Sequence, residues 1–105
     1  MSMSIIINSD EAWITKSGIF ECVVEETREL FKDNEQNCVN KIYEPLDDFQ
    51  QYIYLSHVDE ECFNLFYNYC MKATDNFPDS ERGKIPDKEY LPVILGNWSI
   101  LLRMM

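Results

Sequence analysis

The side chains that could do chemistry in this chain are one histidine and four cysteines, and their spacing is unfavourable for catalysis. The histidine is His57, and the cysteines are Cys22, Cys38, Cys62 and Cys70. A nucleophilic cysteine needs a base within reach, but Cys62 follows His57 by five residues, whereas helical side chains three or four residues apart meet. Structural zinc sites usually gather ligands in pairs two to four residues apart, and no such pair is present. We therefore expect four reduced, mostly buried thiols and no metal or cofactor.

Paired carboxylates are the second group that could take part in a reaction. They occur at Glu25-Glu26, Asp47-Asp48 and Asp59-Glu60-Glu61. Glycosidase-type catalysis also needs a cleft that raises the pKa of one carboxyl group. Acids in the first turn of a helix complement the helix dipole, which is a simpler explanation for the second and third groups. The few glycines are too far apart for a phosphate-binding loop, and we expect that the protein is not an enzyme.

The charge of the chain is concentrated in its first three-fifths. Residues 1–61 carry fourteen acids and four bases, which gives −10, and residues 62–105 carry five of each, which gives zero. A negative field speeds encounter with an oppositely charged partner and destabilises the fold by self-repulsion. It disfavours binding to nucleic acid or to an anionic membrane, because both require basic patches. The sequence therefore predicts a basic protein partner.

The hydrophobic pattern predicts one all-α domain over residues 1–105, a compact bundle of about four to six helices. With 105 residues and 46% hydrophobic content, the chain can bury a core. No secretory signal or apolar stretch of about 20 residues is visible, so we expect a soluble, cytoplasmic protein. The alternative is an α+β fold with a short strand near 52–55, because Tyr52-Ile53-Tyr54-Leu55 is also a good strand sequence.

Capping and spacing signals place the first helices. A cap at Asn8-Ser9-Asp10 predicts one helix, and apolar residues at helical spacing predict another from about Ile19 to Lys32. The segment from Asp33 to Lys41 is typical of a polar loop. Pro45 suits the first turn of a helix that continues towards Leu55.

Two more helices are predicted in the second half of the chain. Ser56 as a cap, with Asp59 three residues later, precedes the clearest helical stripe, from Val58 to Ala73. Asp87 can cap a final helix that is apolar nearly all round. Such a helix is buried inside the fold or between chains.

The segment from Tyr43 to Glu61 combines aromatic side chains with acids. Tyrosine is among the residues that dominate protein interfaces, and an acidic rim suits a basic groove. A competing interpretation is that these tyrosines are half-buried helix residues under a solvated face. We predict that the segment binds the partner through Tyr43, Glu44, Asp47, Asp48, Tyr52, Tyr54, Asp59, Glu60 and Glu61.

Part of the sequence resembles a known family. The acidic aromatic helix VDEECFNLFYNYCMKA, the proline just after it and the closing NWSILLRMM, within Val58 to Met105, are similar to small bacterial immunity proteins of contact-dependent growth inhibition systems. The resemblance implies a stoichiometric inhibitor that forms a heterodimer with the toxin domain of a large secreted effector. Such toxins are often nucleases, whose basic active sites an acidic protein can cover. The expected toxin is a ribonuclease.

Three other functions fit some of these observations. A nucleic-acid mimic that occupies a DNA-binding protein needs free acids at phosphate spacing, and Arg28 and Lys32, three residues after Glu25 and Glu29, argue against it. A small thiol or metal enzyme would use the cysteines and the histidine. A homodimer would be built on residues 90–105.

Overall fold

A three-stranded sheet forms one layer of the structure, a computed structural model that describes residues 2–105. β1 (Ser2–Ile6) lies between β2 (Ala12–Lys16) and β3 (Tyr52–Tyr54). β2 pairs with β1 antiparallel and β3 pairs with β1 in parallel, so that Ile5 lies opposite both Trp13 and Ile53. These three side chains point to the same, buried face of the sheet.

A tight turn between β1 and β2 replaces the helix that was predicted after Asn8-Ser9-Asp10. The side-chain oxygen of Asn8 accepts hydrogen bonds from the backbone N–H groups of Asp10 at 2.8 Å and Glu11 at 2.9 Å. Asparagine bonds to the backbone in this way both at helix starts and in turns, so this signal alone does not separate the two. A strand follows because buried Trp13 and Thr15 alternate with exposed neighbours.

Five α-helices complete the described part of the chain. They are α1 (Ser17–Arg28), α2 (Gln36–Asp47), α3 (Glu60–Asn76), α4 (Glu81–Lys84) and α5 (Leu91–Met104). Short 3-10 turns at Asp33–Glu35 and Phe77–Asp79 precede α2 and α4. The prediction of four to six helices in one compact domain is confirmed, and the strand at Tyr52–Tyr54 is the one that the α+β alternative contained.

The largest correction concerns α2, which begins inside the segment predicted to be a polar loop. Its buried residues stand at helical spacing between polar ones: Cys38, Val39, Ile42 and Tyr43. Pro45 lies near the end of this helix, so the helix predicted from Pro45 to Leu55 is wrong. The chain instead turns after Asp47 and enters β3, where Ile53 is buried between half-buried tyrosines.

α3 and α5 form much of the helical core. The Asp59 side chain accepts a hydrogen bond from the Cys62 N–H at 2.9 Å, so Asp59, rather than Ser56, caps α3. The buried Trp98 of α5 donates its indole N–H to the Cys70 sulfur at 3.1 Å. The opposite side of α5, with Val93 and Ile100, remains nearly half exposed. No helix among residues 2–105 has the length and apolarity that crossing a membrane requires.

Cys38 and Cys62 form a disulfide, which corrects the prediction of four reduced thiols. Each is the third residue of its helix, and the starts of α2 and α3 lie side by side, with 5.2 Å between the two Cα atoms. The prediction rested on the redox state of the cytoplasm and contained no information about which cysteines meet. Cys22 and Cys70 are free.

Candidate protein-binding surface

The exposed side of α2 borders two open depressions that share Lys41. One, of about 340 Å³, follows α2 itself and is lined by Asn40, Lys41, Glu44, Asp47 and Asp48. The other, also about 340 Å³, lies between the starts of α2 and α3 and is lined by Asn34, Glu35, Asn37, Cys38, Lys41, Asp59, Glu61, Cys62 and Leu65. Together they form the α2 acidic surface, in which carboxylates surround Lys41: Glu35, Glu44, Asp47, Asp48, Asp59 and Glu61.

The two ends of the α2 acidic surface differ in their local electrostatics. Glu60 and Glu61 stand in the first turn of α3, where the helix dipole stabilises acids, as the sequence predicted. Asp47 and Asp48 were predicted in a first turn too, but Asp47 is the last residue of α2 and Asp48 follows it. The dipole disfavours acids at this end, so their explanation as helix-start residues is wrong.

Asp47 is held by an arginine from the end of α1. The Nη1 and Nη2 atoms of Arg28 donate to the two carboxylate oxygens of Asp47 at 3.0 and 3.1 Å, and this hydrogen bonding raises the pKa of Arg28. Arg28 thus reaches across to α2 rather than pairing with Glu25 on its own helix. Glu44 and Asp48 are exposed and take no part in the three ion pairs found among residues 2–105.

Glu35 is fixed at the other end of the same surface. Its carboxylate accepts hydrogen bonds from the Lys32 N–H at 2.9 Å and from the Tyr69 hydroxyl at 2.7 Å. These two bonds, the backbone bond first, lower the pKa of Glu35 and keep it ionised. The ring of Tyr69 is itself held by an edge contact with Phe31.

The acids of α1 are partly neutralised from the second half of the chain. Nη1 of Arg82, in α4, lies 3.0 Å from carboxylate oxygens of both Glu26 and Glu29. The α1 carboxylates therefore do not form the free, regular row that a nucleic-acid mimic needs.

The three tyrosines of the predicted segment lie in two different environments. Tyr43 is fully buried, and its hydroxyl donates to the Val24 carbonyl at 2.6 Å, so it supports the surface from beneath. Tyr52 and Tyr54 are half-buried on the sheet face opposite Ile53, in edge-to-face contact at 5.4 Å between ring centres. Because β3 packs against α2, this aromatic pair lies on an element adjoining the α2 acidic surface.

The histidine and the free cysteines are placed poorly for catalysis. His57 stacks on Tyr54 at 4.6 Å, beside an open groove of about 580 Å³ at the ends of β1 and β3. Burial raises the pKa of Cys70 to about 11 and is the main cause of a raised pKa at Cys22, so both thiols stay protonated at neutral pH. No group of three or more metal-binding side chains occurs among residues 2–105.

One exposed residue of this region escaped the sequence analysis. Phe49 falls inside the helix predicted from Pro45 towards Leu55, but in the structure it follows the end of α2, has a positive φ of 67° and is 96% exposed. A sequence signal for the end of α2 at Asp47, two residues before Phe49, would have placed Phe49 outside the core. That end is hard to read because neither glycine nor asparagine follows α2.

Comparisons with known proteins support the fold. No protein-family model matches the sequence, and no curated protein matches it. Among solved structures, the chain is similar to a chain in the structure of the CdiA-CT toxin from Burkholderia pseudomallei E479 in complex with its cognate CdiI immunity protein. The TM-score is 0.78 at 16% identity, over 97% of this chain and 91% of that one. At this identity the likeness establishes a shared fold.

Proposed function

We propose that this protein is an immunity protein, which binds one cognate toxin domain and neutralises it by forming a heterodimer. The observation that carries the proposal is the fold, which extends over nearly the whole chain and matches a structure of a CdiI immunity protein with its toxin. The described residues also offer an extensive acidic surface along α2 and the start of α3. Binding, rather than chemistry, is what such a surface can do.

The proposed target is a basic toxin domain of a large secreted effector, specifically a ribonuclease. A nuclease must attract the phosphates of its substrate, so its active site carries a positive potential. A protein with a net charge of −10 is drawn to that potential, and by covering the active site it excludes the substrate.

The proposed contact surface follows the sequence prediction with one change. Tyr43 is left out because its side chain is fully buried. Exposed acids guide the encounter, and the half-buried Tyr52 and Tyr54 add apolar contact area at the adjoining strand. The acids are Glu44, Asp47, Asp48, Asp59, Glu60 and Glu61.

Charge reversal tests whether this surface meets the toxin. The double variant Glu44→Lys/Asp48→Lys removes two exposed acids that form no ion pair among residues 2–105. Under the proposed function we expect an effector gene next to that of this protein. We expect association with the toxin domain of this neighbouring gene to slow roughly tenfold, because steering depends on local charge. Stopped-flow fluorescence measures the rate, and rescue of growth on co-expression with the toxin measures neutralisation.

The matched control is Asp87→Lys/Glu89→Lys. Both positions are exposed and lie outside the α2 acidic surface, and both double variants change the net charge from −10 to −6. An equal loss of association rate in the two variants would show that overall charge, not this surface, steers the encounter. If the wild-type protein neither binds the toxin nor rescues growth, the proposed function is wrong.

A further inference from the structure

The turn that ends α2 holds Phe49 in a conformation that favours glycine. The N–H of Phe49 bonds to the Leu46 carbonyl at 3.0 Å, and the N–H of Gln50 bonds to the Pro45 carbonyl at 2.9 Å. This pair of hydrogen bonds is a Schellman motif, whose residue after the C-cap adopts the left-handed conformation and is usually glycine. Here that residue is phenylalanine, with a φ of 67°.

Among residues 2–105, packing of the Phe49 ring does not compensate for the strain of this conformation, because the ring is almost fully exposed. The left-handed conformation is unfavourable for any residue with a Cβ, and it is rare for bulky ones. The ring gains no packing in return, because it is 96% exposed, more than the next most exposed large apolar side chain, Ile85, at 80%. Strained backbone of this kind is found at binding sites.

The surroundings of Phe49 indicate what its ring contacts. Asp47 and Asp48 directly precede Phe49, and Glu44 stands one turn before Asp48 on α2, so the exposed ring follows three exposed carboxylates in the chain. Residues that dominate protein interfaces are often aromatic, insert into a pocket and are surrounded by a polar rim. The complementary site on a partner is an apolar pocket bordered by lysine or arginine.

We propose that Phe49 is the anchor residue of this protein, inserted into an apolar pocket with a basic rim on the toxin, an inference that rests on the proposed function. Asp48 and Glu44 then pair with the basic rim, while Asp47 stays fixed by Arg28. The strained turn keeps the ring projecting before the partner arrives, so little conformational freedom is lost on binding.

Replacement of Phe49 separates binding from folding. Phe49→Asn and Phe49→Gly remove the ring and suit the left-handed conformation. We expect the Kd for the toxin domain of the neighbouring effector gene to rise roughly 30-fold or more. The Tm of the free protein should stay the same or rise. Phe49→Trp, which keeps a ring, and Ile85→Ala, which removes an exposed apolar side chain elsewhere, should bind like the wild type.

The other possible results distinguish failure of the anchor from failure of the proposed function. Wild-type affinity in Phe49→Asn would overturn the anchor while leaving the proposed function in place. A lower Tm in both ring-deleted variants would show that the ring serves the fold, and it would overturn the inference. The inference would also be overturned if the free wild-type protein forms a dimer in sedimentation and the Phe49→Asn variant is a monomer. No binding by the wild-type protein would overturn the proposed function and this inference together.

Discussion

Two glycines of the chain differ in what surrounds them, and the difference decides whether each can be replaced. At Gly83, at the turn of α4, an added Cβ would overlap the carbonyl oxygen of Phe77, a backbone atom. At Gly96, inside α5, an added Cβ would meet nothing within 4 Å. Gly83 is therefore required by a close approach of two backbone segments, and Gly96 is not.

The paired variants Gly83→Ala and Gly96→Ala should change stability in opposite directions. We expect Gly83→Ala to lower the free energy of unfolding by about 2 kcal/mol, because the contact with Phe77 must open. Gly96→Ala should raise it by about 0.5–1 kcal/mol, because alanine is the better helix residue. Urea unfolding of the three proteins measures both changes. A stable Gly83→Ala would show that the Phe77 turn relaxes freely.

For the predicted site residues, the sequence indicated the type of surface correctly but not the burial of each side chain. The combination of tyrosines and acids was visible, and the acids are at the surface. The burial of Tyr43 was not predictable, because it depends on the face of α2 that the residue occupies. That face follows from a helix start at Gln36, whereas the sequence predicts a polar loop from Asp33 to Lys41.

At the scale of elements, the helices with long apolar stripes were predicted, whereas of the three strands only the one near 52–55 was, as part of the α+β alternative. α1, α3 and α5 correspond to predicted segments, because their stripes extend over at least three turns. β2 and β3 have five and three residues, too few for a two-residue alternation to stand out. Their pairing with β1 is a tertiary contact that local sequence does not encode.

The disulfide links two elements and closes the segment that carries most of the α2 acidic surface. Its sequence separation is 24 residues, so in the chain-entropy account it stabilises the fold by about 3.5 kcal/mol. We expect a reductant to lower the free energy of unfolding by about that amount, measured by urea unfolding with and without a phosphine. A thiol titration of the unfolded protein should give two thiols before reduction and four after it.

The control for this prediction is Cys38→Ser/Cys62→Ser, whose stability should not respond to the reductant. An equal unfolding midpoint for the reduced and untreated wild-type protein would contradict the proposed contribution of the disulfide.

At the scale of the whole molecule, the net charge is −10, and few of the carboxylates are neutralised by ion pairs. Only two arginines, Arg28 and Arg82, form the ion pairs found among residues 2–105. Most acids of residues 1–61 therefore repel one another across solvent. This repulsion lowers the stability of the free protein, while the same field attracts a basic partner.

Salt should therefore act oppositely on folding and on binding. Between about 10 and 300 mM NaCl the Debye length shortens from about 30 Å to less than 10 Å. We expect the Tm of the free protein to rise as repulsion is screened, and the Kd for the proposed toxin partner to rise as well. Calorimetry of the free protein and titration of the complex measure the two effects. A Tm that falls with salt would show that the ion pairs outweigh the repulsion.

The exposed end of α2 can change over evolutionary time at little cost to the fold. Glu44, Asp48 and Phe49 lie outside the core and outside the ion pairs described above. Substitutions at ordinary surface positions such as Glu44 and Asp48 usually change stability by less than about 0.5 kcal/mol. At Phe49 the left-handed backbone favours residues such as glycine and asparagine. Under the proposed function, substitutions at these few positions can restore binding to a toxin whose surface has mutated. Sequences can then diverge widely from one another while the core that builds the fold is kept.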